Sequence, residues 1–215
     1  MIAGAILLST GRSVDGQSLF EDAYSQAEAT PIPVDASAVG TGFFISPTAI
    51  LTSAHVLAGC RTVTIENRSM ATFAVIREKD RSRDAAVLST QQRSASFIFL
   101  SPQQSGGALQ IVGYPATHPG RANPAHYNAR SRPQSTSQVT VLAASVPAGM
   151  SGSPVVNASG QAVAVLTGRM NAGRRDTIAS PVAYLPSSIK QYAANPAAGA
   201  VSNGLAGAIV KVKCQ

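Results

Sequence analysis

Charged and aromatic residues are scarce in this sequence. Only 13% of the 215 residues are Asp, Glu, Lys or Arg, 5% are aromatic, and tryptophan is absent. A charged fraction well below the usual quarter, with much Ala, Ser, Gly and Thr, is more typical of extracytoplasmic than of cytosolic proteins. Because 45% of the residues are hydrophobic, the chain can still bury a sizeable core.

Long apolar runs and clustered metal ligands are also lacking. No apolar run approaches the ~18 residues that span a bilayer, so we predict no transmembrane segment. The two cysteines, Cys60 and Cys214, form neither a CxxC pair nor a metal-ligand spacing, and we predict no metal or cofactor. They could form one disulfide in an exported protein or remain free thiols, and the sequence leaves both open.

The termini and the charge distribution bear on location and partners. Residues 1–8 form a short apolar run like the core of a signal peptide, although the first basic residue is Arg12. We predict a secreted or periplasmic protein. The net charge is +7, but the basic residues are scattered and the few aromatics offer no stacking pattern. We therefore expect no nucleic-acid partner.

Short β-prone runs dominate the sequence. A hairpin is predicted over residues 39–52, with Pro47 in its turn. Further runs of about three to six residues occur at 62–66, 72–76, 85–88, 97–100, 109–114, 138–143, 154–156, 162–167 and 177–179. Many short strands without long helices favour a barrel or sandwich. Short helices are predicted after His55 and over residues 186–193.

Three regions lack this strand pattern. Residues 1–38 are interpreted as a leader, pro-segment or arm, and residues 115–137 as a long surface loop that carries His118 and His126. Residues 195–207 are rich in Ala and Gly, which predicts weak order. The predicted organisation is thus a 1–38 leader, a first barrel over 39–101, a second barrel over 102–194 and a tail over 195–215.

Three short motifs carry residues suited to nucleophilic catalysis. His55 ends the run Leu-Thr-Ser-Ala-His, Asp84 begins Asp-Ala-Ala-Val-Leu, and Ser151 lies within Gly-Met-Ser-Gly-Ser-Pro. A serine hydroxyl needs a base to accept its proton, and histidine titrates near the working pH. A buried carboxylate holds the imidazole in the required tautomer. The amides of Gly149 and Ser151 would stabilise the oxyanion.

The order of the motifs selects one class of hydrolase. His, Asp and Ser follow one another as in the chymotrypsin type, whereas subtilisins and α/β-hydrolases have other orders. Residues 40–43 with 52–55, residues 84–88 and residues 149–154 together resemble the catalytic segments of bacterial trypsin-like peptidases. The Ser-Pro ending of the last motif is nearer to that of bacterial glutamyl endopeptidases than to that of digestive trypsins.

This resemblance implies a fold and an activity. The fold is all-β, with two antiparallel six-stranded barrels and a short C-terminal helix. The activity is that of a serine endopeptidase acting through an acyl-enzyme. Ser145 would lie near the base of the S1 pocket, and Leu166, Thr167 and Gly168 would form one wall. With no Asp at the base and no His at position 166, a neutral pocket for small or apolar P1 residues is expected.

Alternatives remain for one residue and for the function. Asp80 is the rival of Asp84, but it lies in a charged stretch, whereas Asp84 enters an apolar run. Met150 stands where digestive members have an Asp that pairs with a new N-terminal ammonium, so we expect packing to hold the loop. A catalytically silent binding module on the same fold is the alternative function.

Overall fold

The computed structural model describes residues 38–103, 107–118, 120–133, 135, 139–170, 176–195 and 204–215. Apart from residue 38, which begins the first strand, the predicted leader lies outside the described residues. The described part of the chain forms twelve strands: β1 (Ala38–Phe44), β2 (Ala49–Thr52), β3 (Val63–Glu66), β4 (Ala71–Asp80), β5 (Ala85–Ser89), β6 (Leu109–Gly113), β7 (Ala125–Ala129), β8 (Thr140–Leu142), β9 (Pro154–Val156), β10 (Ala162–Arg169), β11 (Thr177–Pro181) and β12 (Ile209–Cys214).

The strands form two six-stranded antiparallel sheets. The first is a closed barrel in the order β1-β12-β3-β4-β5-β2, and the second has the order β7-β6-β9-β10-β11-β8. The edges of the second sheet meet through a bridge between Ser131 and Leu142. Two hydrogen bonds flank this bridge, from Arg132 N to Val141 O (2.8 Å) and from Ala143 N to Arg130 O (2.8 Å). The predicted all-β double-barrel fold class is confirmed.

Few helices interrupt the sheets in the described residues. A 3-10 turn, Ala54–Leu57, contains His55, and helix α1, Ser187–Lys190, follows Pro186. Both lie where the sequence predicts short helices. A second short helix, α2 (Leu205–Ala208), leads directly into β12.

Strand β12 corrects the prediction of a tail over residues 195–215. It pairs with β1 and β3 and thereby completes the first barrel, so this barrel is not confined to residues 39–101. Val210, Val212 and Cys214 are buried, whereas Lys211 and Lys213 between them are only partly buried. This alternation is typical of a strand with one face in a core. The Ala/Gly-rich composition ahead of it led to the wrong prediction.

Two further strand predictions need correction. The predicted loop over 115–137 contains β7, in which Ala125 and Ala129 are buried while His126 is exposed. Small buried alanines give a weak hydrophobic signal, so the strand was missed. Residues 97–100 form no strand, only an isolated bridge from Leu100 to Ala162.

A shared hydrophobic cluster joins the two barrels. It combines first-barrel side chains such as Phe43, Leu51 and Val87 with second-barrel side chains such as Val112 and Val165, and all are fully buried. Separate clusters fill the interiors of each barrel. Close packing in this shared cluster holds the two barrels, and the loops beside the cluster, in a fixed arrangement.

A disulfide between Cys60 and Cys214 ties the end of β12 to the segment that follows the His55 turn. Replacing both cysteines with serine should lower the free energy of unfolding by about 2–5 kcal/mol, because the bond closes a long loop in the unfolded chain. The expected decrease in Tm is roughly 5–15 °C. Thermal unfolding followed by circular dichroism measures it.

The control for this experiment is chemical reduction. A reductant should lower the Tm of the parent protein to that of the double variant and leave the variant unchanged. Equal Tm values for the oxidised parent and the variant would show that the bond contributes nothing to stability.

Candidate functional site

His55 and Asp84 are joined by two hydrogen bonds. The imidazole Nδ1 lies 2.8 Å from Asp84 Oδ2, and the backbone N–H of His55 donates to Asp84 Oδ1 at 2.9 Å. The aspartate side chain is 5% exposed and that of the histidine 17%. A carboxylate that receives Nδ1–H leaves Nε2 unprotonated in the neutral ring, which is the form that accepts a proton.

The turn between β4 and β5 holds Asp84 in place. Its N–H donates to Arg81 O at 3.2 Å, and its φ of 45° lies in the left-handed region that Asp and Asn tolerate better than most residues. The carbonyl of the preceding residue, Arg83, accepts a hydrogen bond from Ser180 Oγ on β11. A second-barrel strand therefore fixes the position of a first-barrel carboxylate.

Ser151 lies in a tight loop between two glycines with positive φ. Gly149 has φ +89° and Gly152 has φ +86°, values that side-chain-bearing residues rarely adopt. A Cβ at Gly152 would overlap the carbonyl oxygen of Thr41. The loop closes through Ser153 N to Met150 O (3.0 Å) and is attached to β10 through Gly152 N to Leu166 O (2.7 Å).

The Ser151 loop packs against the segments that carry His55. Thr41 N donates to Ser151 O at 2.8 Å, and Thr52 Oγ1 donates to Thr41 O at 2.7 Å. Ser53 Oγ donates to Leu166 O at 2.8 Å, the same carbonyl that accepts from the loop. The Ser151 loop and the segment that leads into the His55 turn thus hydrogen-bond to the same two residues, Thr41 and Leu166.

Two amides of the loop are available to a negatively charged oxygen. The carbonyls beside them are engaged elsewhere, since Ala148 O accepts from Ala116 N (2.8 Å) and Gly149 O accepts from Thr41 Oγ1 (2.9 Å). Within the described ranges, no acceptor takes a hydrogen bond from the N–H of Gly149 or of Ser151. These are the two donors that the sequence predicts for an oxyanion hole.

Packing supports the loop from beneath. Met150 is 1% exposed and belongs to the core cluster of the second barrel, together with Leu166 and Val155. A buried acidic residue at position 150 would need a cationic partner. The methionine side chain needs none, because its surroundings are apolar.

The predicted S1 residues differ in their exposure. Ser145 is exposed, Gly168 is partly buried, and Leu166 and Thr167 are buried. Thr167 Oγ1 donates to Ile178 O at 3.1 Å, so its hydroxyl is already engaged. Leu166 packs in the barrel core, its N–H donates to Ser153 O, and its carbonyl accepts from Gly152 N and Ser53 Oγ. The S1 assignment stays a prediction.

The other candidates have separate roles. Asp80 Oδ1 accepts from Ser82 Oγ (2.6 Å) and Arg83 N (3.2 Å), which makes it a cap of the turn that presents Asp84. His118 and His126 are exposed. Among the described residues, no group of three His, Cys, Asp or Glu side chains could hold a metal ion, and no helix is long and apolar enough to cross a membrane.

Thr41 is a site residue that the sequence analysis missed. Its Oγ1 donates to Gly149 O (2.9 Å) and accepts from Tyr114 N (3.0 Å), while its own N–H binds Ser151 O. It therefore joins β1, the Ser151 loop and the segment after β6. The only sequence signal was its position between two glycines close to the His55 motif.

The sequence matches a family model described as "Trypsin-like peptidase domain" over residues 40–165. It is 31% identical over 141 residues to "Serine protease Rv3671c" of Mycobacterium tuberculosis, which covers 60% of this chain and 36% of that protein. The chain thus spans about a third of that relative's length. It is 26% identical over 160 residues to "Uncharacterized protein y4bJ" of Sinorhizobium fredii, covering 69% of this chain and 25% of that protein.

The fold is also similar to a solved structure. The active form of the Rv3671c protease of M. tuberculosis superposes with a TM-score of 0.62 at 24% identity, over 78% of each chain. Likeness at this level of identity shows the fold alone. It agrees with the two-barrel arrangement described above.

Proposed function

We propose that this chain, which belongs to the trypsin-like peptidase domain family, is a serine endopeptidase with His55, Asp84 and Ser151 as its catalytic triad. The observation that carries the proposal is the buried carboxylate of Asp84, which binds both the backbone N–H and Nδ1 of His55. A histidine held in this way carries its proton on Nδ1, so the other ring nitrogen, Nε2, can act as the base. No observation favours a catalytically silent binding module.

In the proposed reaction, His55 Nε2 accepts the proton of Ser151 Oγ as the oxygen attacks the scissile carbonyl. Asp84 stabilises the imidazolium that results. The oxyanion accepts hydrogen bonds from the amides of Gly149 and Ser151, each worth about 3–4 kcal/mol in the transition state. His55 then gives the proton to the departing amine, and a water molecule activated by the same base hydrolyses the acyl-enzyme.

The structure offers support for a loop that needs no new N-terminus to form. Met150 packs in the core, and both glycines beside Ser151 have the positive φ that the loop requires. A buried ammonium without a carboxylate partner would cost several kcal/mol. The loop is therefore proposed to be stabilised by packing and by Thr41.

The proposed substrate is a protein or peptide with a small or apolar P1 residue. Ser145, Leu166, Thr167 and Gly168 form the proposed S1 pocket and carry no charge, so Lys, Arg and Glu lack a counterion there. The similarity of the Ser153-Pro154 ending to glutamyl endopeptidases supports a shared branch but not a shared P1 preference.

The proposed location is secreted or periplasmic. The Cys60–Cys214 disulfide supports an oxidising compartment, because such bonds are rare in the reducing cytosol. No nucleic-acid partner is proposed.

Labelling with a serine-directed fluorophosphonate tests the proposal. We expect a single covalent adduct, which peptide mapping locates on Ser151, because only an activated serine reacts quickly with this reagent. Denatured protein is the control and should not be labelled. An adduct on another serine, or no adduct on folded protein, would contradict the triad.

A further inference from the structure

A cleft of about 210 Å³ lies between the two barrels. The turn between β3 and β4 and Lys211 on β12 form its first-barrel side. Tyr114 and Arg121 form its second-barrel side. This cleft is separate from the predicted S1 residues, none of which lines it.

Positive charge predominates in the cleft. Arg68, Arg121 and Lys211 line it, and Glu66 is the single carboxylate among the described residues that line it. Glu66 Oε1 lies 3.2 Å from Lys211 Nζ, and Oε2 lies 2.7 Å from Lys213 Nζ. The hydrogen bond from Lys213 lowers the pKa of Glu66, so this carboxylate stays ionised and is compensated by two ammonium groups. Because two ammonium groups face one carboxylate, one of them and the two arginines supply the excess positive charge.

Of the three cations, Lys211 is partly desolvated by the walls of the cleft, whereas Arg68 and Arg121 are exposed. Lys211 Nζ lies 5.2 Å from the centre of the Tyr114 ring, and its side chain is 12% exposed. Burial raises the pKa of Tyr114, with a smaller effect from Glu66, so the phenol stays neutral. Charge interactions are stronger here than at an open surface. Arg121 Nε donates to Asn123 O at 2.9 Å, which leaves its two terminal nitrogens for a guest carboxylate.

Thr41 links the cleft to Ser151. Its backbone N–H binds Ser151 O, its Oγ1 binds Tyr114 N, and its register partner across β1 and β12 is Lys211. Neighbouring strands lie about 5 Å apart. The two steps from Ser151 to Thr41 and from Thr41 to Lys211 therefore place the backbone of Lys211 at most about 10 Å from that of Ser151, within about three residues of extended peptide.

We propose that this cleft binds an Asp or Glu side chain of the substrate, two or three residues beyond the scissile bond on the leaving-group side. The proposal rests on the proposed endopeptidase function. On the acyl side of the scissile bond the substrate would lie against β10, because residues 166–168 form the predicted S1 wall and Leu166 O accepts from Gly152 N. The cleft adjoins the loop through Thr41 and Tyr114, and Tyr114 O lies against Gly149. It therefore faces the departing half of the peptide.

Digestion of a peptide library by the whole protein, with mass-spectrometric identification of the cleavage sites, tests the preference. Two synthetic quenched peptides then carry either Asp or Asn at the leaving-group position that the library identifies, and kcat/KM is measured for each peptide. We expect the Asp peptide to be cleaved about 3- to 5-fold more efficiently at low salt, as for an ion pair with an exposed partner. High salt should reduce this ratio.

Arg121→Ser should reduce the Asp/Asn ratio to about 2-fold or less, through a loss of kcat/KM that falls mainly on the Asp peptide. Arg93→Ser is the matched control, because Arg93 is also exposed but does not line the cleft. It should leave the ratio unchanged. A merely global charge effect would change both variants equally.

The outcomes separate the two proposals. If the wild-type protein cleaves no peptide, the endopeptidase function fails. If it cleaves peptides without an acidic preference on the leaving-group side, or if Arg121→Ser leaves the preference intact, the cleft proposal fails and the function stands. A preference for Lys or Arg at that position would also overturn it, because Glu66 would then be the recognising group.

Discussion

Replacing Ser151 with alanine should reduce kcat by about a million-fold and leave the fold intact. The substitution removes the oxygen that would be acylated, and no other group at the site can take its place. The backbone contacts of the loop do not involve this side chain, since Thr41 N binds the Ser151 carbonyl and Gly152 N binds Leu166 O. Hydrolysis of quenched peptides under single-turnover conditions measures the loss.

Ser159→Ala is the matched control for this variant. Ser159 is exposed in the turn between β9 and β10, and its backbone N–H, not its hydroxyl, binds Asn157 Oδ1. Its removal should leave kcat within about 2-fold, as for most surface substitutions. Both variants should unfold at nearly the parent Tm. A Ser151→Ala protein that kept more than about 1% of the parent kcat would exclude Ser151 as the nucleophile.

The sequence predicts the strands best where each strand buries large side chains. Residues 85–88, which form most of β5 and are fully buried, are an example of a strand that apolar composition alone predicts. β7 buries only alanines at its ends and is invisible to such a pattern. The apolar run at 97–100 contributes Phe97 and Ile98 to the core. It forms no strand, although Ile98 N donates to Phe44 O and Phe99 O accepts from Ala162 N, because hydrophobicity reports burial and not continuous pairing.

Contacts between distant parts of the chain could not be predicted. β12 has a clear alternation, but its partners β1 and β3 lie more than a hundred residues earlier, and periodicity carries no information about partners. The same limit left the pairing of Cys60 with Cys214 open. Composition also misled the analysis, because the Ala/Gly-rich stretch before β12 is typical of a tail.

The candidate site divides along the same line. His55, Asp84 and Ser151 stand in short motifs whose chemistry is readable from residue types and order. Thr41 and the cationic cleft depend on three segments meeting at β1, namely the Ser151 loop, the segment after β6 and β12. No local pattern encodes such a meeting. The S1 residues were carried over by position alone, and the burial of Leu166 shows how little position says about side-chain direction.

Asp84→Asn should lower kcat by about four orders of magnitude with little change in stability. Asp84 Oδ1 accepts the backbone N–H of His55, so the carbonyl oxygen of an asparagine would take that place. Its NH₂ group would then face Nδ1, where Oδ2 now lies 2.8 Å away. The ring would have to accept at Nδ1 and carry its proton on Nε2, and this tautomer cannot remove a proton from Ser151. Steady-state hydrolysis of quenched peptides measures the effect.

Asparagine is a sharper substitution than alanine here, and Asp80→Asn is its natural control. Asp84 has φ 45°, a region that Asn tolerates, so backbone strain adds little to the result. Asp80 only caps the turn through Ser82 and Arg83, and an asparagine oxygen can keep those bonds. Its effect should stay under ~0.5 kcal/mol in stability and about 2-fold in kcat. Equal losses from the two variants would mean that the carboxylates act only through the turn, and the assignment of Asp84 as the partner of the catalytic histidine would be wrong.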